Sequence, residues 1–142
     1  VLHLYETLGL WRKADYLETH FAQTVNEYHH LLIMEDLGGD KRYVDRFFAQ
    51  HAAFFYYWLT CLIYVVSPCM AYNLSEQIEE HAYHTYDEFL KNHGTSLSLE
   101  KAPVVASDYY GDVSSLHDVF TRIRDDEGEH VKEMQECQID LA

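Results

Sequence analysis

In the segment Leu116-His-Asp-Val-Phe-Thr-Arg-Ile-Arg-Asp-Asp-Glu-Gly-Glu-His-Val-Lys-Glu-Met-Gln-Glu-Cys137, the residues Leu116, Phe120, Ile123, Glu127, His130, Met134 and Cys137 recur at alternating spacings of four and three. That period marks one face of an α-helix. Five of the seven are ordinary core residues, and a carboxylate and an imidazole three positions apart interrupt them. Burying both groups is costly unless something binds them. A metal ion is the simplest such partner.

The element occurs twice. Glu27 and His30 are also three apart and are followed at the same rhythm by Met34 and Leu37. Between the two motifs, Glu79 shares a stripe with Ala82, Tyr83, Tyr86 and Leu90, whereas Glu80 shares one with His84, Asp87 and Lys91 that reads as solvent-facing. Glu79 is therefore the expected inward carboxylate. Two Glu-x-x-His helices combined with lone-Glu helices form the ligand set of di-iron and di-manganese carboxylate four-helix bundles. The expected fold class is thus all-α and ferritin-like. The competing reading is a set of core polar groups satisfied by hydrogen bonds.

Residues three apart on a helix can grip one ion from one side. Glu27 with His30 would hold a first ion and Glu127 with His130 a second, with Glu79 bridging from a facing helix. Oxygen-rich ligation with one imidazole per metal suits iron or manganese better than zinc. Asn26 and Asp126 each precede the Glu of their motif and are expected to orient the imidazoles. Tyr86, two turns beyond Glu79, is placed to give an electron and a proton to such a site, or else is a core tyrosine with a satisfied hydroxyl. His29, His81, His84 and His117 read as surface or hydrogen-bonded histidines.

With 142 residues the chain makes a single domain, 1–142, large enough for a core. A formal net charge of −14 leaves no basic stripe to neutralise phosphates, which argues against nucleic acid as a partner. Cys61, Cys69 and Cys137 form no C-x-x-C pair and read as small buried hydrophobes. The chain opens on Val1 without an initiating Met and reads as a piece of a longer protein.

Helical patterning dominates. A first helix is expected from about Arg12 to Leu37, stopped by Gly38–Gly39, and a second begins near Arg42. From Ala52 to Ser75 there is no Asp, Glu, Lys, Arg or His, a run long enough for a membrane span. Its aromatics (Phe54, Phe55, Tyr56, Tyr57, Trp58, Tyr64, Tyr72) and Pro68 leave three readings: a buried core helix, a transmembrane span and an interfacial helix. Aromatic density favours the interfacial helix. A further helix is expected to end near His93 at Gly94, and a loop from Thr95 to Val113 to follow. Ser115 and Asp118 have the spacing of a capping box opening the last helix.

As strings, the motif regions resemble the alternative oxidases, nearest their plastid terminal oxidase branch. The resemblance lies in Asn26-Glu-Tyr-His-His-Leu-Leu-Ile-Met-Glu-Asp-Leu-Gly-Gly39, Asp45-Arg-Phe-Phe-Ala-Gln-His51, Ser67-Pro-Cys-Met-Ala-Tyr72, His81-Ala-Tyr-His-Thr-Tyr-Asp-Glu-Phe-Leu90 and Arg124-Asp-Asp-Glu-Gly-Glu-His130, in order over nearly the whole chain. It implies a membrane-bound, non-haem di-iron quinol oxidase that oxidises two quinols and reduces dioxygen to two waters. By motif position it implies two Fe ions on Glu27, His30, Glu79, Glu127 and His130, a redox-active Tyr86, and Thr85 near the quinol pocket. It also implies plastoquinol (alternatively ubiquinol) as substrate, a homodimer, and monotopic attachment to a chloroplast or cyanobacterial thylakoid membrane.

Three departures from the family pattern stand out. The family's sixth ligand, a Glu in a Leu-Glu-Thr motif, is expected upstream of Val1, on a bundle helix missing from this chain. Leu17-Glu18-Thr19 imitates that motif but sits nine residues before Glu27 on one helix, so it cannot supply a fourth wall. The loop after Tyr109–Tyr110 is short, without the insertion usual in plastid members. Gly128 stands where a small helix former is usual, at a cost of up to about 1 kcal/mol. Two rival functions remain: a membrane-associated di-iron quinone hydroxylase, and a non-catalytic helical membrane protein.

Overall fold

The computed structural model describes residues 14–141 together with residues 1, 2, 4, 8 and 9. Among these it contains five helices and no strand: α1 (Ala14–Asp36), α2 (Tyr43–Val66), α3 (Pro68–Leu97), α4 (Val104–Tyr110) and α5 (Leu116–Leu141). The all-α expectation is met. The expected start of α1 at Arg12 lies outside the described residues.

Local chemistry explains most boundaries. α1 ends in a Schellman motif: Gly39 N–H donates to the Met34 carbonyl at 2.8 Å and Gly38 N–H to that of Glu35 at 2.9 Å. Gly38 adopts φ +94°, a conformation open to glycine at little cost. The apolar run 52–75 is not one helix. Pro68, with no amide hydrogen, begins α3 at its first turn, and the Ser67 hydroxyl caps it by accepting from Met70 N at 3.3 Å.

α3 runs past the expected stop at Gly94 to Leu97. Gly94 lies along the α3–α5 seam, where a Cβ would stand 3.5 Å from the His117 ring, an ordinary contact. The expected loop contains α4, entered after Pro103 and left at Gly111 with φ +83°. Hydrogen bonds from Ala102 N to Ser114 O and from Leu116 N to Glu100 O tie the two ends of that excursion together. α5 opens with a reciprocal capping box. Asp118 N donates to Ser115 Oγ at 3.2 Å and Ser115 N to Asp118 Oδ2 at 3.0 Å.

α3 lies along α5 in the most extensive interface, α2 packs on α3, and α1 packs on α4 and α5. Two apolar clusters result. One joins Ile33, Leu90, Leu97, Ala106, Val119, Phe120 and Ile123; the other joins Tyr16, Tyr64, Ala71, Tyr72, Met134 and Cys137. Ile33, Val119 and Ile123 are fully buried, each contributing about 1.5–3 kcal/mol. On α5, Glu127 and His130 sit between Ile123 of one cluster and Met134 of the other. The bundle therefore has a polar layer sandwiched between two apolar ones. Leu37, expected on the inner face of α1, is exposed, and Ile33 takes that place because the helix ends before another inward turn is reached.

α2 is long and apolar enough by length and composition to cross a membrane. Of its residues only Thr60, Cys61 and Tyr64 are buried, while Phe54, Phe55, Trp58, Leu59, Leu62 and Val66 face outward. Among the described residues α2 is therefore not enclosed as a core helix would be.

Candidate metal centre

Three helices bring the motif residues together. Glu27, Glu79, Glu127 and His130 each offer one donor atom, and these four atoms lie within 4.8 Å of one another. His30 joins them from α1: its Nδ1 is 3.3 Å from Glu127 Oε1 and 3.6 Å from Glu27 Oε1. His130 Nδ1 is 3.3 Å from Glu27 Oε1 and 3.6 Å from Glu79 Oε2. The carboxylate that reaches both imidazoles is thus Glu27, while Glu79 approaches His130. α1 and α5 face each other across the site, whereas α3 runs alongside α5 and delivers its carboxylate from the flank.

These spacings suit cation binding. Donors about 2.1 Å from a common ion stand roughly 3.0–3.4 Å apart. The Nδ1 atoms of His30 and His130 are buried without a hydrogen-bond partner, an arrangement native proteins avoid unless the atom has another use. A cation held by both imidazoles and the carboxylates would satisfy them. The five side chains present fit a metal.

The imidazole of His30 is aimed by Asp126. The Asp126 Oδ2 accepts hydrogen bonds from His30 Nε2 at 3.0 Å, Tyr110 OH at 2.6 Å and Asn26 Nδ2 at 2.8 Å. A carboxylate only accepts, so His30 carries its proton on Nε2 and turns the Nδ1 lone pair to the site when neutral. Asn26 acts on the imidazole only through Asp126, which it braces, and also donates to Tyr109 OH at 3.0 Å. Tyr109 and Tyr110 were not among the expected functional residues. Their signal, an aromatic pair at the end of a seven-residue helix, is legible only once α4 is known to dock on α1.

Charge is concentrated in the layer. Burial opposes protonation of His30, yet its hydrogen bond to Asp126 and the nearby Glu127 and Glu27 carboxylates raise its pKa to about 11. For His130 burial is likewise outweighed, here by Glu27 and Glu79, and the value rises to about 10. Burial lifts Glu127 to about 7, aided by the neighbouring carboxylates Glu79 and Glu27. Burial would also raise Glu27, but both imidazoles pull it down to about 2. The cluster has the electrostatics of a cation site.

Tyr86 is partly buried, its ring 6.2 Å from that of Phe120. Burial, followed by the charges of Glu127 and Glu27, pushes its phenol to about 12. Thr85 is exposed, and its hydroxyl donates to the His81 carbonyl of its own helix at 2.8 Å. Glu18 of the Leu17-Glu18-Thr19 imitation is exposed on α1 and takes no part in the layer.

Next to the layer, a cavity of about 320 Å³ opens between α1, α2 and α3, with Glu79 in its wall. Its lining is mostly apolar and aromatic, including Phe21, Tyr56, Tyr64, Tyr72 and Met134; Thr85 does not line it.

A sequence model described as alternative oxidase matches residues 1–138. The chain is 51% identical over 159 aligned positions to a protein named ubiquinol oxidase 4, chloroplastic/chromoplastic, from Arabidopsis thaliana, covering 97% of this chain and 45% of that protein. It is 32% identical to mitochondrial ubiquinol oxidase 2 of the same plant, covering 92% of this chain and 37% of that protein. It is 29% identical to the mitochondrial ubiquinol oxidase of Mangifera indica, covering 92% and 42%. The chain spans less than half the length of these relatives. The first alignment is longer than this chain's 142 residues, so that relative carries additional residues within the matched region. No solved structure matches.

Proposed function

This chain belongs to the alternative oxidase family, and on that premise we propose that it forms most of the di-iron centre of a membrane-bound quinol:oxygen oxidoreductase. The reaction takes two quinols and one dioxygen to two quinones and two waters. The single observation that carries the reading is the pair of buried Nδ1 atoms, on His30 and His130, facing Glu27, Glu79 and Glu127. These five residues would hold two irons, with a further carboxylate coming from outside the 142 residues. The irons supply the electron storage that dioxygen reduction requires.

The chain's own groups do the rest. Asp126 fixes the His30 tautomer so that its lone pair meets the site. Tyr86 keeps its phenolic proton close to Glu127 and Glu27, where an electron and a proton can leave together. The exposed aromatic face of α2 lies in one leaflet of a thylakoid membrane and gives an apolar quinol access to the cavity beside Glu79. Plastoquinol is the substrate suggested by the chloroplastic relative, although the relatives are named ubiquinol oxidases. The working assembly is a homodimer.

Iron per chain, measured on this chain and on a parent extended to the relatives' length, tests the reading. Two irons in the extended form, oxygen uptake with quinol that resists cyanide, and loss of both on Glu79→Ala are the expected results. A hydroxylated quinone instead of water would transfer the site to hydroxylase chemistry. Absence of iron from both forms would sink the oxidase reading.

A further inference from the structure

Tyr86 and Tyr110 both border the metal layer, and their surroundings differ in what an electron can do next. Tyr86 is enclosed by phenylalanine: its ring stacks on Phe120 at 6.2 Å, and Phe120 meets Phe89 at 5.1 Å. A benzene ring without a hydroxyl is far harder to oxidise than a phenol, so an electron vacancy formed on Tyr86 stays there. Beyond Phe89 stands His93 at 5.0 Å, and a neutral imidazole is also harder to oxidise than a phenol.

Tyr110 has a second phenol against it. Its oxygen lies 3.1 Å from Nε2 of the His30 imidazole, and its proton is given to Asp126 Oδ2 at 2.6 Å. The Tyr110 ring is 4.8 Å from that of Tyr109. Tyr109 in turn stacks on His29 of α1 at 3.9 Å, the two planes only 9° apart, which holds it firmly across the α4–α1 contact. Asn26 Nδ2 donates to Tyr109 OH at 3.0 Å. That oxygen accepts from the network, and Tyr109, half-buried, keeps its own proton for water. A series of contacts thus leads from the buried His30 to a half-buried phenol outside the layer.

Resting on the oxidase reading above, we propose that Tyr110 and Tyr109 form a second electron entrance to the metal layer, through which a small water-soluble aromatic amine reduces the iron centre when quinol runs short. The net charge of −14 favours a neutral or cationic donor over an anionic one. In the step, Tyr110 passes one electron to the iron centre oxidised by dioxygen, and its proton moves to Asp126 Oδ2. An oxidised phenol is a strong acid, so even a carboxylate that already accepts three hydrogen bonds takes that proton. The Tyr109 O–H then breaks: its electron fills the vacancy on Tyr110, its proton goes to water, and Asp126 returns the first proton to Tyr110. The amine gives Tyr109 an electron and leaves as its radical cation, while water restores the Tyr109 proton. One electron has entered, and both tyrosines and Asp126 end unchanged. Tyr86, walled by phenylalanine, has no such exchange with the outside.

The extended, iron-loaded parent is reduced and exposed to dioxygen without quinol in the presence of a nitroso spin trap, and the trapped radical is located by peptide mass spectrometry. The adduct is expected on Tyr109, suppressed by tetramethyl-p-phenylenediamine and, per iron bound, about tenfold lower in Tyr110→Phe. Tyr109→Phe keeps the contacts of Tyr110 with His30 and Asp126 and should strand the vacancy on Tyr110. Its radical signal in electron paramagnetic resonance should then outlast that of the parent at least threefold and stop responding to the diamine. An adduct on Tyr109 that survives Tyr110→Phe, no adduct on Tyr109, or a Tyr109→Phe radical quenched by the diamine as fast as the parent's would each overturn the proposal. Iron content is measured in the same samples. Two irons and oxygen uptake with no Tyr109 adduct would reject the second entrance alone, whereas no iron would reject the oxidase reading.

Discussion

At the scale of single residues, Asp126 shows what sequence position can and cannot reveal. Its place before Glu127 suggested a role in orienting an imidazole, and it does orient one, but that imidazole belongs to the other motif, 96 positions away. Nothing in the local pattern distinguishes His130 from His30 as its partner; only the docking of α1 on α5 does. Replacing Asp126 by Asn removes the negative charge from the one oxygen on which three donors converge. The expected loss is about 1–3 kcal/mol in denaturant unfolding, and a 10- to 100-fold weaker hold on iron in equilibrium dialysis. Asp118 provides a pH-dependent test. Backbone and side-chain hydrogen bonds from Ser114 and Ser115 depress its carboxyl to about 2 from an ordinary value of 3.8. A depressed carboxylate stabilises the fold above its unfolded pKa, and that contribution disappears as pH falls through the folded one. The Tm difference between the parent chain and Asp118→Asn should therefore be constant above about pH 5 and vanish towards pH 2.

Among the helices, boundaries set by caps were legible in advance and those set by packing were not. Gly38–Gly39 and Ser115/Asp118 act through their own backbone and could be read from a few residues. Gly94 has the composition of a stop but lies inside α3, beside His117 of α5. α4 was hidden because seven residues carry too little periodicity to stand out. Gly128 follows the same logic. Its low helix propensity looked like a pure cost, yet a Cβ there would come within 3.3 Å of the Tyr83 ring. Tyr83 borders an open surface groove with Gly128, so its ring has room to move aside. Gly128→Ala is expected to raise stability by about 0.5 kcal/mol, less than the full propensity gain of roughly 1 kcal/mol, as read from the urea midpoint. The aromatic face of α2 makes a prediction of its own. Trp58 emission should shift to the blue when vesicles are added, and Phe55→Ser with Leu62→Ser should reduce the shift by more than half.

For the molecule as a whole, the uneven distribution of contacts predicts uneven stability. α3 and α5 share the main interface and both apolar clusters, while α2 touches the rest chiefly through α3. Amide hydrogen exchange should be slowest in the middle of α3 and α5 and fastest in α2 without lipid. The five-residue layer between the clusters is the other global determinant. Ferrous iron at a hundred times its dissociation constant should stabilise the chain by about 2.7 kcal/mol, visible as a rise in Tm. The fold class and the five layer residues could be inferred from the sequence because helical period and motif spacing are local. The hydrogen-bond partners of the layer and the side from which each carboxylate enters are tertiary facts.

The way the two motifs interlock has a practical meaning. Glu127 of the second motif reaches His30 of the first, and Glu27 of the first reaches His130 of the second. Each helix supplies only part of the donor set, so a peptide spanning either motif alone lacks the carboxylate that the other helix brings to its imidazole. Occupancy becomes a readout of assembly. A colorimetric iron assay on a library of variants would score whether the helices have found each other, with no need for an oxygen electrode.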